Sequence, residues 1–149
     1  MKVAIGSDHA GYELKEHIKG VLEKEGYSII DLGPQTADSV DYPDFGIKVA
    51  RFVSAKEAEK GILICGTGIG MSVVANKVKG IRASLSQDIY TAIQSRKHLD
   101  ANILVLGARV IGTGIAEEIA KTWLLTPFEG GRHEKRVEKI KDWEEKHIS

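Results

Sequence analysis

The chain has 149 residues, of which 42% are hydrophobic and 28% charged, with 21 basic side chains against 21 acidic ones. That size fits one domain able to bury roughly 70% of its unfolded surface, and a formal net charge of zero removes any global pull towards nucleic acid or an anionic membrane. A single cysteine, Cys65, excludes an intrachain disulfide framework, and the apolar run after Met1 is too short for a signal peptide or membrane helix, so a cytoplasmic protein is expected.

Val3–Ala4–Ile5 reads as the first strand. Glu13 to Glu25 then places Leu14, Ile18, Val21 and Leu22 at helical spacing, and Tyr27 to Ile30 reads as a second strand. Gly33 to Pro43 holds two of the three prolines and reads as a loop on the functional edge of the sheet. A helix over Ile47 to Ala58 follows. Ile62–Leu63–Ile64, apolar throughout, reads as a strand covered on both faces. Met71 to Val78, Asp88 to Lys97 and Gly114 to Leu125 read as helices, with strands at Ile81–Arg82–Ala83 and Ile103–Leu104–Val105. Pro127 ends the last of these helices. After Gly130–Gly131, Val137, Ile140 and Trp143 recur every three residues, predicting an amphipathic helix over about 132–147. No linker or repeat interrupts 1–149, so a single α/β domain is expected. The strand–helix alternation implies a parallel sheet of five strands with right-handed crossovers and a ligand beyond the strands' carboxyl ends.

The stretch GILICGTGIG, residues 61–70, carries the strongest chemical signal. Cys65 ends a central strand and precedes a glycine turn that opens a helix, where amides and a positive helix end favour a thiolate. The ordinary alternative is a small buried hydrophobe. Gly66, Thr67, Gly68, Ile69 and Gly70 can turn their amides inward as an anion cradle. The spacing fails the dinucleotide fingerprint, lacks the Gly-Lys-Ser/Thr ending of a P-loop, and has Met71 where a cysteine phosphatase needs arginine.

Asp8 and His9, in SDHAG after the first strand, would stand at the same edge as Cys65, although a helix-capping Asp beside a solvated His is an equally ordinary reading. His98, in SRKHLDAN, is placed on a helix-to-strand connection. Arg132 and Arg136 lie one helical turn apart as a two-pronged phosphate site, with Arg109 as a third cation; a solvated charged face is the default there. Taken together, these groups point to a site for a phosphorylated small molecule. No HxxxH or carboxylate cluster has metal-ligand spacing, so neither metal nor cofactor is expected.

SDHAG (7–11), DYPD (41–44), GILICGTGIGMS (61–72), NKVKGIRA (76–83), SRKH (95–98) and EGGRHEKRV (129–137) resemble, in order and over nearly the whole chain, the B-type ribose-5-phosphate isomerases, grouped with the galactose-6-phosphate isomerase subunits. The resemblance implies a Rossmann-like three-layer sandwich and metal-free interconversion of ribose 5-phosphate and ribulose 5-phosphate. It also implies a homodimer, with a dimer of dimers left open, whose active sites draw on both subunits; the last helix, about 132–147, is expected at the interface, although its Trp143 could equally cover the chain's own core. By position, Cys65 resembles the proton-moving base, and Thr67 with the Gly66–Gly70 amides resembles the enediolate hole. His98, with Asp8 nearby, resembles the ring-opening group. His9, Arg109, Arg132 and Arg136 resemble the phosphate grip, and Tyr42 borders the sugar. Leu99 stands where the family usually has Asn, which opens the alternatives of allose 6-phosphate or galactose 6-phosphate. A non-catalytic binder of sugar phosphates or nucleotides is the competing class.

Overall fold

A computed structural model describes residues 1–148. Strands β1 (Lys2–Ser7), β2 (Ser28–Asp31), β3 (Lys60–Cys65), β4 (Ala83–Leu85) and β5 (Ile103–Gly107) form one sheet in the order β2-β1-β3-β5-β4, every ladder parallel. The helices are α1 (Tyr12–Lys24), α2 (Tyr42–Ser54), α3 (Ile69–Ala75), α4 (Ile89–Leu99), α5 (Thr113–Leu125) and α6 (Arg132–His147).

The strand order dictates the layers. The β1-to-β2 and β4-to-β5 steps run one way along the sheet, and β2-to-β3 and β3-to-β4 run the other. Right-handed crossovers then send α1 and α4 to one face and α2 and α3 to the opposite one. The core divides accordingly. Leu14 and Ile18 of α1, Ala92 of α4 and Trp123 of α5 pack with Val3, Ile5, Ile62, Ile64 and Leu104. Val49 and Val53 of α2 and Met71 of α3 pack with Ala4, Leu63, Cys65 and Val105. The period of two along β3 is why an unbroken apolar run was needed there.

Several expected boundaries move, α3 among them at Ile69–Ala75 against Met71–Val78, and three of the differences have a local reason. β4 begins at Ala83 rather than Ile81, because the amides of Arg82 and Ala83 are taken by the side-chain oxygens of Asn102 and Asn76 at 2.8 and 2.9 Å. Helix α2 starts at Tyr42, five residues early, and stops at Ser54; Pro43 sits in its first turn, where a missing N–H is harmless. Gly46 therefore lies inside the helix, where a Cβ would come within 3.0 Å of Met71 and Val74 of α3. Finally, His98 lies in the last turn of α4, not on a connection. Helix α6 matches the expected 132–147, but only Val137 of its apolar positions is buried; Ile140 and Trp143 are exposed.

Candidate active site

The chain leaves β1 towards β2 on one side and later places β3 on the other, so a crevice opens between the carboxyl ends of β1 and β3. Ser7 pairs with Ile64 there, and the Asp8 amide donates to the Ile64 carbonyl at 3.1 Å. Beyond these ends lies a cleft of about 460 Å³ lined by Asp8, Tyr42, Cys65, Gly66, Thr67, Ile69, Gly70 and Arg109. Eight of the expected site residues therefore meet in one place.

Cys65 is 5% exposed, and its Sγ accepts the Gly68 N–H at 3.2 Å. Helix α3 has seven residues, too short for a strong dipole, so this single amide is the main polar contact made by the sulfur. The Ile69 amide donates to Thr67 Oγ1 at 3.2 Å, while Gly70, in the first turn of α3, keeps an amide with no intrahelical acceptor. The loop also needs its glycines. Gly68 has φ +86°, and a Cβ there would strike Leu85; a Cβ on Gly70 would meet the Tyr42 ring at 2.7 Å.

Neighbouring loops hold this turn in place. A Cβ on Gly107 would come 2.5 Å from the Thr67 carbonyl, so that close approach requires glycine. Gln87 bridges the two strands' ends, its Oε1 accepting the Gly107 N–H at 2.9 Å and its Nε2 donating to the Thr67 carbonyl at 3.3 Å. The Arg109 amide donates to the Gly66 carbonyl at 2.9 Å, and its exposed guanidinium lies along Gly66. Asp8 accepts the Gly11 N–H at 2.9 Å and so braces the turn before α1, whose N-cap is Gly11 itself, while also facing the cleft.

His9 stands next to the cleft, its Nδ1 accepting the Val40 N–H at 3.2 Å, which leaves Nε2 to carry the proton. The loop bearing Val40 is anchored from below by a buried ion pair. Lys15 is fully buried and its Nζ donates to both Asp31 oxygens at 2.9 and 2.8 Å. Burial opposes ionisation of Asp31, but the Lys15 and Lys19 ammonium groups and the Gly33 N–H outweigh it and hold the carboxyl below its usual range. Gly33 in turn accepts the Ser7 amide at 3.1 Å, next to Asp8.

His98, Arg132 and Arg136 do not reach the cleft of their own chain. Because α4 runs antiparallel to the strands, its last turn lies at the amino edge, roughly 13 Å along β5 from Gly107, the register partner of Cys65. The expected nearness of His98 to Asp8 is thus absent within one chain. A second cluster forms instead. The Glu129 amide donates to the Lys97 carbonyl at 3.1 Å, and Arg96 Nε donates to the Thr126 carbonyl at 3.0 Å, tying the segment before α6 to the end of α4. His133 then stacks on His98 with ring centroids 4.0 Å apart and planes 13° from parallel. Burial pushes the His133 imidazole below its usual pKa, helped by the His98 and Arg132 charges and opposed by Glu129. Nitrogen and oxygen atoms of His98, Glu129 and His133 lie within 4.8 Å of one another. Stacked rings direct their lone pairs along parallel planes, however, so one ring must turn before both can hold an ion.

Residues 3–140 match the family described as Ribose/Galactose Isomerase. The chain belongs to that family. Ribose-5-phosphate isomerase B of Escherichia coli is 45% identical over 139 residues, 93% of each chain. D-erythrulose-4-phosphate isomerase of Pectobacterium atrosepticum is 43% identical over 150 residues, 99% of each chain. The solved ribose-5-phosphate isomerase B of Clostridium thermocellum is 54% identical, with a TM-score of 0.96 and 99% of each chain covered.

Within this ribose/galactose isomerase, Leu99 packs partly buried against the core and offers its carbonyl to Arg82 Nε at 3.1 Å, so its side chain presents no polar group to a sugar. Gln87, Lys15, Asp31 and His133 escaped the sequence reading. Gln87 carries no motif at all. His133 was visible in EGGRHEKRV, but nothing in its spacing reveals a stack on a residue 35 positions earlier.

Proposed function

We infer that this chain is an aldose–ketose isomerase that interconverts ribose 5-phosphate and ribulose 5-phosphate. The observation that carries the reading is Cys65 Sγ at the mouth of the β1/β3 crevice, held by the Gly68 amide beside Thr67 and Asp8. In the open-chain aldose, Cys65 takes the proton from C2. The C2–H electrons form the C1–C2 double bond, and the C1 carbonyl oxygen gains the charge. Thr67 and the uncommitted amides of the Gly66–Gly70 loop, Gly70's among them, receive that enediolate, which is where preorganised donors act most strongly. Return of the proton to C1, with the O2 proton passing to O1 as C2=O forms, gives the ketose. The reading assigns the developing charge to amides and calls on no metal or cofactor.

His98 opens the furanose ring, and His9, Arg109, Arg132 and Arg136 grip the phosphate, fixing the sugar relative to the sulfur. His98 and the two α6 arginines lie at the edge of the sheet opposite Cys65, which supports a homodimer in which one copy's His98 and arginines complete the other's cleft; a dimer of dimers is a further order of assembly. No helix among the described residues is long and apolar enough to cross a membrane, and a cytoplasmic setting goes with the reading.

The lost Asn at position 99 favours testing substrate length directly. Turnover of ribose 5-phosphate should exceed that of allose 6-phosphate and galactose 6-phosphate, with deuterium from solvent entering the product's C1 or C2. Binding without carbon-bound exchange would make the chain a sugar-phosphate binder instead. For the shared site, mixing inactive Cys65→Ala and His98→Ala chains should restore up to about one quarter of native activity, since half the dimers then carry one intact site. No recovery on mixing overturns the composite arrangement.

A further inference from the structure

His98 is exposed and sits in the final turn of α4, a position that by itself leaves an imidazole free to turn about both side-chain torsions. Ring opening demands the opposite. The C1–O4 bond breaks as C1=O1 forms, O4 takes a proton from His98, and the O1 proton passes to a carboxylate, for which Asp8 stands in the opposing cleft. Both transfers are directional, so the plane of the donor ring matters.

Resting on the assignment of His98 given above, we propose that His133 is a positioning residue for ring opening, a flat buried seat that fixes the plane in which His98 presents its free edge to the sugar. The two rings are in full face contact, with centroids 4.0 Å apart and planes within 13°. His133 itself cannot wander. It is 6% exposed, its amide donates to the Gly130 carbonyl at 3.1 Å, and its Nε2 faces Glu129 Oε1 at 3.6 Å. Glu129 is in turn bound through its backbone to Lys97, the residue before His98. Seat and seated ring therefore share one frame built from the ends of α4 and α6.

A side chain serving only as filler would not be an imidazole here. His133 Nε2 is buried without a hydrogen bond, an arrangement that costs stability and that leucine would avoid. A flat ring, unlike leucine, restrains the tilt of the ring above it.

The test exploits the chemistry of the two sugars. Ribose 5-phosphate is a furanose and must open, whereas ribulose 5-phosphate, with O5 esterified, has no free hydroxyl to close a five-membered ring. Loss of the seat should slow ribose 5-phosphate turnover and spare solvent deuterium exchange at C1 of ribulose 5-phosphate. We expect His133→Leu to lower kcat on ribose 5-phosphate about tenfold or more, with exchange changed less than about twofold, and His133→Phe to retain most of the native rate because it keeps a flat face. His98→Ala must itself split the two readouts. If it does and His133→Leu does not, the seat is wrong while the role of His98 stands. If His98→Ala fails to split them, the assignment of His98 falls and the seat with it. Equal loss of both activities in His133→Leu, or a His133→Phe as slow as His133→Leu, also overturns the proposal. Exchange measured on the same sample reports whether the variant is folded.

Discussion

Cys65 and Gly68 are joined by an amide-to-sulfur hydrogen bond of 3.2 Å across a three-residue turn. The bond holds the sulfur at the cleft even though the side chain counts among the core contacts of α2 and α3. A sulfur anion gains more from such a donor than a neutral thiol does. Cys65→Ser keeps the geometry with a poorer carbon base. It should lose on the order of 10²-fold or more in kcat with KM changed only a few-fold, as steady-state kinetics on ribose 5-phosphate will check.

Gly68→Ala separates conformation from chemistry. Its φ of +86° and the collision of a new Cβ with Leu85 predict a loss of about 1–3 kcal/mol in urea unfolding and a fall in kcat as the amide shifts off the sulfur. Gly20→Ala, inside α1 where nothing lies within 4 Å, is the control and should leave kcat unchanged without lowering stability.

Arg132 and Arg136 are exposed, at the start and one turn along α6. Replacing either with alanine should raise KM for ribose 5-phosphate by about tenfold or more while thermal stability stays within measurement error. An unchanged KM in both variants would remove them from the phosphate grip.

Lys15 and Asp31 form the most deeply buried ion pair among the described residues. Lys15→Met leaves the buried Asp31 carboxylate with only the more exposed Lys19 and the Gly33 N–H and should cost up to about 3 kcal/mol, whereas Lys15→Met with Asp31→Leu should recover a large part of that loss. The pH dependence follows from the lowered pKa of Asp31. Its folded-state value lies below the unfolded one, so its stabilisation is present in full above the unfolded carboxylate range and is lost as pH falls through it, below about 4. Unfolding free energies from pH 7 down to 3 should decline less steeply in the double variant than in the native chain.

The sheet and the cleft were legible because their signals are local. β3 announces itself by an apolar run, and Cys65, Gly68 and Asp8 by their places at strand ends, where topology alone brings them together. β4 and α2 were misplaced because the decisive contacts come from outside each segment: Asn76 and Asn102 occupy amides that a propensity reading gives to a strand, and Pro43, read as part of a loop, sits in the first turn of a helix that packs Gly46 against α3. His98 was the instructive failure. Sequence proximity to β5 was read correctly, but the direction of α4 carries the ring to the far edge, and only the topology shows it.

On the proposed shared site, that placement makes catalysis a matter of concentration. A lone copy carries the sulfur at one pole and the histidine with its arginines at the other, so neither half would turn over sugar by itself. Specific activity should therefore fall on dilution long before the fold unravels, and return when protein is added back, even protein whose own sulfur has been removed.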